Sequence, residues 1–395
     1  YYTERERVIA KFFAAARGHC RTGSAPLYFV NLLHWRFDMR VYNFSAGPST
    51  LPLSVLEQAQ KEFLDFAGTG MSITEISHRD KAFDAVVKEA ESLVRELLNV
   101  PEDYAVLFVQ GGASTQFAAV PLNMMHHGKA DYIVTGNFAK KAWQEGQIFG
   151  EAVKIGDSSD KTYTYIPDVD KLAYSEDADY VHITSNNTIF GTRYAKFPDC
   201  KAPLVADMSS EIFSREIDVS KFGVIYAGAQ KNLAPAGVTI VIAKRSLIQE
   251  PLKICPTMLK WKVQDENGSL YNTPPCFAIY MANLVLRNLK EKGGVKAMNE
   301  VDVYKSGLLY DFIDNSSLFK NNVVKEYRSI MNVPFVTPSA ELDAKFIAEA
   351  KKAGLVSLKG HRLVGGMRAS IYNAMPVEGV KALIDFMKKF ELENK

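Results

Sequence analysis

Between residues 104 and 244 the chain alternates short apolar runs with stretches of helical periodicity, and nothing else in it narrows the fold as much. "YAVLFVQ" leads to "STQFAAVPLNMM", "KADYIVTG" to "NFAKKAWQEGQIFG", and "ADYVHITS" to a polar turn; "APLVADMS", "GVIYAGA" and "GVTIVIA" follow. Apolar runs without polar alternation suit strands covered on both faces, which is how parallel sheets are buried. The segments between them are long enough for crossover helices. The pattern predicts an α/β domain over about 55–295, with a mostly parallel central sheet. Two amphipathic helices precede it. "LPLSVLEQAQKEFLDF" spaces Leu56, Ala59, Phe63 and Phe66 helically with Pro52 in a first-turn position, and "DAVVKEAESLVRELLNV" does so with Val86, Ala90, Leu93, Val94 and Leu97.

A chain of 395 residues exceeds one domain's usual share, and its C-terminal part reads differently. One long helix-prone segment, "CFAIYMANLVLRNLKEKGGVKAMNEVDVYKSGLLYDFI", leads out of the sheet domain. Strand-like "NVVKEYRSIMNVPFV" follows, then a strand expected at 363–373, then a helix with Val380, Leu383, Ile384, Met387 and Phe390 on one face. Residues 296–395 are therefore expected to form a smaller α+β C-terminal domain, and 39–54 an N-terminal segment. Residues 1–38 are expected to be an extension outside the native fold. A transit peptide in "AKFFAAARGHCR" is the alternative, with Glu4 and Glu6 against it, and a short helix is another.

Formal net charge is +2 with acids and bases interspersed, so no basic stripe points to a nucleic-acid partner. Cys20, Cys200, Cys255 and Cys276 are far apart and form no CxxC pair. Neither a metal site nor a disulfide framework is expected, and a reducing cytoplasm is. The apolar stretch "APLYFVNLLHW" is far too short to span a bilayer, so no membrane association is expected.

Against that background one lysine is out of place. In "GVIYAGAQKNLAPAGVTIVIA", Lys231 sits in a turn of glycine, alanine and proline between two interior strands. Asp207 ends the preceding apolar run, at the carboxyl edge where α/β sheets build their sites; a helix cap or structural aspartate is the alternative. In "VLFVQGGASTQF" a strand ends at Gly111-Gly112 and a helix begins near Ala113-Ser114. Glycines admit close backbone approach, and a helix start offers free N–H groups to an anion, although a tight turn explains the motif equally well. A nucleophilic lysine, a strand-end aspartate and an anion cradle form the set that pyridoxal phosphate requires: Schiff base, pyridine partner and phosphate site. Trp143 could lie flat on the ring or simply pack, and Thr188 in "SNNTIFGT" could contact the cofactor. His78-Arg79, His361-Arg362 and Arg368 suggest a substrate with two anionic ends.

These residues resemble a known family. "NFSAGPSTLP", "ISHR", "QGGAST", "FAKKAW", "NNTIFGT", "ADMSS", "AGAQKNLAPAGV", "YNTPP" and "GHRLVGGMRASIYNA" occur in the order and spacing of the phosphoserine aminotransferases, class-V pyridoxal-phosphate enzymes of fold type I. The resemblance covers residues 39 to about 392. It implies that Lys231 carries the cofactor, Asp207 pairs with the pyridine nitrogen, Trp143 stacks on the ring and Thr188 meets the phenolic oxygen. It implies phosphate contacts from Ala113, Ser114 and Gln230, and from Asn272 and Thr273 of the other subunit in a homodimer with shared sites. Arg368 would bind the α-carboxylate; His78, Arg79, His361 and Arg362 would bind the distal anion. The substrates implied are L-glutamate and 3-phosphohydroxypyruvate, with 4-phosphohydroxythreonine as a further family possibility. Many bacterial members have Gly-Arg where this chain has Ala113-Ser114, which removes a positive charge from the pocket. A cysteine desulfurase-like lyase would need a reactive cysteine late in the chain, and Cys276 is the last one. A non-catalytic protein of the same fold would lack the lysine or the aspartate, and both are present.

Overall fold

The computed structural model describes residues 40–394, so the expectations for residues 1–38, Cys20 among them, lie outside the described residues. From Tyr42 on the chain forms one compact unit. β1 (Tyr42–Asn43) is followed by α1 (Leu53–Glu62), which buries Val55 and Ala59. This helix stops before the aromatic residues assigned to it: Phe63 is exposed, and Phe66 is buried in the turn beyond. α2 (Lys81–Leu98) is capped by the Asp80 carboxylate on the Ala82 N–H and turns Phe83, Val86, Ala90, Leu93 and Val94 inward.

The sheet elements follow in chain order: β2 (Tyr104–Val109), α3 (Gly112–Met124), β3 (Lys129–Val134), α4 (Asn137–Gly146), β4 (Glu151–Asp157) and β5 (Val181–Thr184). A small hairpin of β6 (Asn186–Asn187) and β7 (Thr192–Arg193) precedes β8 (Leu204–Asp207), β9 (Val224–Gly228) and β10 (Thr239–Lys244). The seven-stranded sheet has the order β2-β10-β9-β8-β5-β3-β4. All its neighbours are parallel except β10, which runs antiparallel to both β2 and β9. Edge strand β4 is absent from the sequence reading because Glu151, Lys154 and Asp157 interrupt its apolar pattern.

Alternate strand residues feed two apolar layers, as burial on both faces demands. Val106, Phe108, Ile225 and Ala227 pack with α2 on one side; Ala105, Leu107, Val224 and Tyr226 pack with Phe117 of α3 and Ala142 of α4 on the other. α5 (Trp261–Glu266) adds Trp261 to the second layer, and α6 (Cys276–Glu291) adds Ile279 and Met281 to the first. The long helix expected next is broken by Gly293-Gly294, and α7 (Gly294–Asn315) starts afresh.

Leu309 and Ile313 of α7 pack with β11 (Asn332–Phe335), α8 (Ala340–Lys352), β12 (Leu355–Val356), β13 (Met367–Ser370) and α9 (Val377–Glu393) around a cluster that includes Phe346, Met367 and Phe390. Phe44 joins this cluster from the N-terminal segment. We propose a lobe boundary near residue 295 on this packing, although Val295 and Met298 still belong to the sheet's own core. The strand expected at 363–373 is shorter than that: only 367–370 pairs, with β11, and Gly365 and Gly366 turn the chain into it.

Candidate active site

Parallel strands deliver their carboxyl ends to one edge. At that edge stand the turn after β2, Gly136 after β3, the β6–β7 hairpin after β5, Asp207 at the end of β8 and the Lys231 loop after β9. Gly111, with φ of 94°, makes the sharp turn that starts α3, and the helix start carries no side-chain cap. Its first N–H groups therefore face outward for an anion. Gly228 leaves the cradle open: a Cβ there would lie 2.9 Å from Gln230 Oε1 and 3.3 Å from the Ala113 nitrogen. This places Gln230 beside Ala113, two residues for which the resemblance implies phosphate contacts; Ser114 is exposed one residue further on.

Lys231 Nζ donates to Thr188 Oγ1 at 2.8 Å, and the Thr188 carbonyl accepts from Arg368 Nη1 at 3.3 Å. One hairpin residue thus touches both the lysine and the arginine. Burial and the Arg368 charge push the Lys231 amine down to about 8, against the raising field of Asp207. In cofactor-free protein, acetylation of Lys231 followed by peptide mass spectrometry is therefore expected to rise through about pH 8, well below the 10.5 of an ordinary lysine. A Lys231 that titrates with the surface lysines contradicts this. Asp207 is 4% exposed, and its Oδ1 accepts from the Ser209 N–H at 2.9 Å and hydroxyl at 2.6 Å. Ser209 Oγ in turn accepts from the Gly228 N–H at 3.0 Å, tying the aspartate to the strand that leads to Lys231. Over the lysine loop runs the segment before α1: the Ser49 N–H donates to the Gln230 carbonyl, and Ser49 Oγ to that of Lys231.

The aromatic nearest the lysine is not the expected Trp143. Trp143 lies nearly two turns into α4, where its Nε1 donates to the Ala152 carbonyl of β4 at 2.9 Å and Lys154 covers its ring. The ring that faces Lys231 is Phe138, in the first turn of α4, with the lysine Nζ 4.6 Å from its centroid. Asn187 sets that helix start. Its Nδ2 donates to Thr135 Oγ1 and Thr192 Oγ1, and its Oδ1 would lie 2.4 Å from any Cβ at Gly136. Phe138→Ala is expected to weaken retention of a flat cofactor about tenfold. Trp143→Phe should leave retention unchanged and cost about 1 kcal/mol of stability, read by dialysis and urea melts. The reverse ranking would restore Trp143.

His361 lies in the turn before β13, and burial together with the charges of Arg368, Arg362 and Lys141 depresses its pKa. Lys141, one turn after Phe138, is a cation that sequence reasoning did not single out. The remaining expected residues gather separately. His78 Nδ1 and Thr273 Oγ1 are 3.2 Å apart, and Gln110 Nε2 donates to the Thr273 carbonyl. Asn272 lines a neighbouring cavity with Gly111 and Thr115, while Arg79 is exposed. No hydrogen bond or ion pair among the described residues joins this group to Lys231 or Arg368. Cys200, Cys255 and Cys276 are free, and burial raises the pKa of each thiol, to about 11 for Cys200. That is the wrong direction for a sulfur-transfer nucleophile. Among the described residues no cluster of histidine, cysteine or acid suits a metal ion, and no helix is long and apolar enough to cross a membrane.

Residues 41–383 match the family model described as aminotransferase class V. The chain is 58% identical over 358 residues to a phosphoserine aminotransferase of Bacillus cereus, covering 90% of this chain and 99% of the relative. Among solved structures it resembles the phosphoserine aminotransferase of Bacillus circulans subsp. alkalophilus, with TM-score 0.88 and 46% identity over 90% of this chain and 99% of that one. A PLP-bound phosphoserine aminotransferase from Trichomonas vaginalis gives TM-score 0.85 and 41% identity over 88% of this chain and all of the other.

Proposed function

The chain belongs to the class-V aminotransferase family, in its phosphoserine aminotransferase group, and from that premise we propose that it moves the amino group of L-glutamate to 3-phosphohydroxypyruvate. The products are 2-oxoglutarate and O-phospho-L-serine, and the transfer is reversible; we propose as a second reaction the same transfer to the oxo acid that corresponds to 4-phosphohydroxythreonine. The observation that carries the reading is Thr188, which holds the Lys231 amine by its hydroxyl and the Arg368 guanidinium by its carbonyl. A carboxylate on the arginine brings the attached Cα to the lysine, which is the geometry amino-acid chemistry needs.

The residues present fit pyridoxal 5′-phosphate. The uncapped start of α3 with Ala113, Ser114 and Gln230 suits its phosphate, Asp207 its ring nitrogen, Phe138 its face and Thr188 its phenolic oxygen. When bound, the cofactor supplies the electron sink that lets the substrate Cα–H bond break heterolytically. Lys231, with its amine near 8, is neutral in a useful fraction close to neutral pH; it takes the proton from glutamate Cα and in the second half-reaction returns one to Cα of the product. Arg368 holds the α-carboxylate of either substrate. His361 and Arg362 face the distal anion, a carboxylate in one substrate and a phosphate in the other. We assign His78, Arg79, Asn272 and Thr273 to the partner's site in a cytoplasmic homodimer, which supports the reading that each pocket draws cations from two subunits.

A coupled assay with glutamate and 3-phosphohydroxypyruvate tests the proposal. Phosphoserine formed in step with 2-oxoglutarate is expected. Protein that carries the cofactor yet forms none overturns the substrate assignment.

A further inference from the structure

Asn332 opens β11, is fully buried, and belongs to no motif in the sequence reading. It stands where three segments of the site meet. Its Oδ1 accepts from Asn186 Nδ2 at 2.9 Å, and its Nδ2 donates to Ser370 Oγ at 3.0 Å and Tyr372 Oη at 3.2 Å. Tyr372 donates its hydroxyl proton to the Ala46 carbonyl at 2.8 Å, so its oxygen accepts from Asn332. That direction fixes the amide: nitrogen toward Tyr372 and Ser370, oxygen toward Asn186. On the far side, Asn186 Nδ2 also donates to Ser210 Oγ, three residues after Asp207.

The three segments are the ones that carry chemistry. Asn186 lies two residues before Thr188, which touches Lys231 and Arg368. Ser370 ends the strand of Arg368 and Tyr372 follows it, and Ala46 belongs to the segment over the lysine loop. Backbone contacts brace the same junction: the Ser329 N–H donates to the Gly191 carbonyl, and Gly191 packs against Pro334. Resting on the functional reading above, we propose that Asn332 is a positioning residue that sets the spacing between Arg368 and Lys231, and hence how well a substrate's α-carboxylate and Cα are seated together.

Loss of this amide frees the hairpin and the Arg368 strand to shift independently, and an error near 1 Å at such a site costs up to about a hundredfold. The test compares Asn332→Ala and Tyr372→Phe with Asn283→Ala. Asn283 is a buried asparagine that, among the described residues, makes no hydrogen bond to these segments and donates to the Val86 carbonyl of α2. The readouts are the thermal midpoint and the calorimetric Kd of 2-oxoglutarate for cofactor-loaded enzyme in the aldehyde form, which binds this oxo acid without reacting. Asn332→Ala is expected to weaken 2-oxoglutarate binding at least about tenfold, and Tyr372→Phe about threefold. Asn283→Ala should lower the midpoint and leave Kd unchanged. Asn332→Ala with a lowered midpoint but a Kd within twofold of wild type overturns the inference. If Asn332→Ala does not fold, an unchanged Kd in Tyr372→Phe overturns it instead. Wild-type enzyme that binds no 2-oxoglutarate overturns the functional reading, and this inference with it.

Discussion

Lys231→Ala is expected to lower turnover by about ten-thousand-fold or more, because one substitution removes both the covalent attachment and the acid–base group at Cα. Nothing nearby replaces it. Thr188 Oγ1, its hydrogen-bond partner, is a hydroxyl, and the other cation at the junction is Arg368, which stays protonated at working pH. Stability should move the opposite way. Burial lowers the Lys231 pKa from 10.5 to about 8, so between those values the unfolded chain binds more protons than the folded one. The penalty of the buried cation is therefore complete below about pH 8 and fades as the pH rises toward 10.5. Cofactor-free Lys231→Met, which keeps the aliphatic stem, should match or exceed wild type in urea melts at pH 7, with the advantage shrinking by pH 10. A Lys231→Ala enzyme retaining a hundredth of wild-type turnover, or a Met advantage that grows with pH, contradicts the assignment.

Arg368→Met is expected to lower kcat/KM by about a thousandfold for glutamate and for the phosphorylated oxo acid alike, since truncating one side of a buried charge pair costs about 2–5 kcal/mol. Equal loss on both substrates is the signature of the α-carboxylate, the group they share. A residue on the distal anion would discriminate between carboxylate and phosphate. Arg368→Lys should recover little, because an ammonium cannot present a planar fork. Arg368 also lowers the Lys231 pKa, so in cofactor-free protein its removal should move the pH at which Lys231 acetylates upward. Its Nε is buried without a partner, which leaves donor capacity for an incoming carboxylate. Loss confined to one substrate, or an unmoved acetylation pH in cofactor-free protein, would reassign the arginine.

Much of this site was legible because its parts are local. A strand-end aspartate, a glycine turn into a helix and a lysine among small residues each announce themselves within a few positions. Trp143 and Phe138 show where that legibility stops. Both aromatics belong to one short helix, and periodicity offers no ground for preferring either. The choice was made by Asn187 packing on Gly136, which anchors the helix start at the lysine and leaves Trp143 to β4. The α1 end and the short β13 follow the same logic, since pairing partners decide where an element stops.

The order of apolar strands and amphipathic helices was enough to determine the α/β class and to set Lys231, Asp207 and the turn at Ala113–Ser114 at the ends of strands, as candidates for one sheet edge. These depend on backbone period and on nearest neighbours in the chain. The tertiary structure alone decided which aromatic faces the lysine and that Lys141 adds its field to His361. It also decided that Asn332, within the apolar run "IMNVPF", is a polar hub, because its partners Ser370 and Asn186 lie 38 and 146 residues away. A buried amide is tolerable only when every donor finds an acceptor, and only folding reveals whether those acceptors arrive.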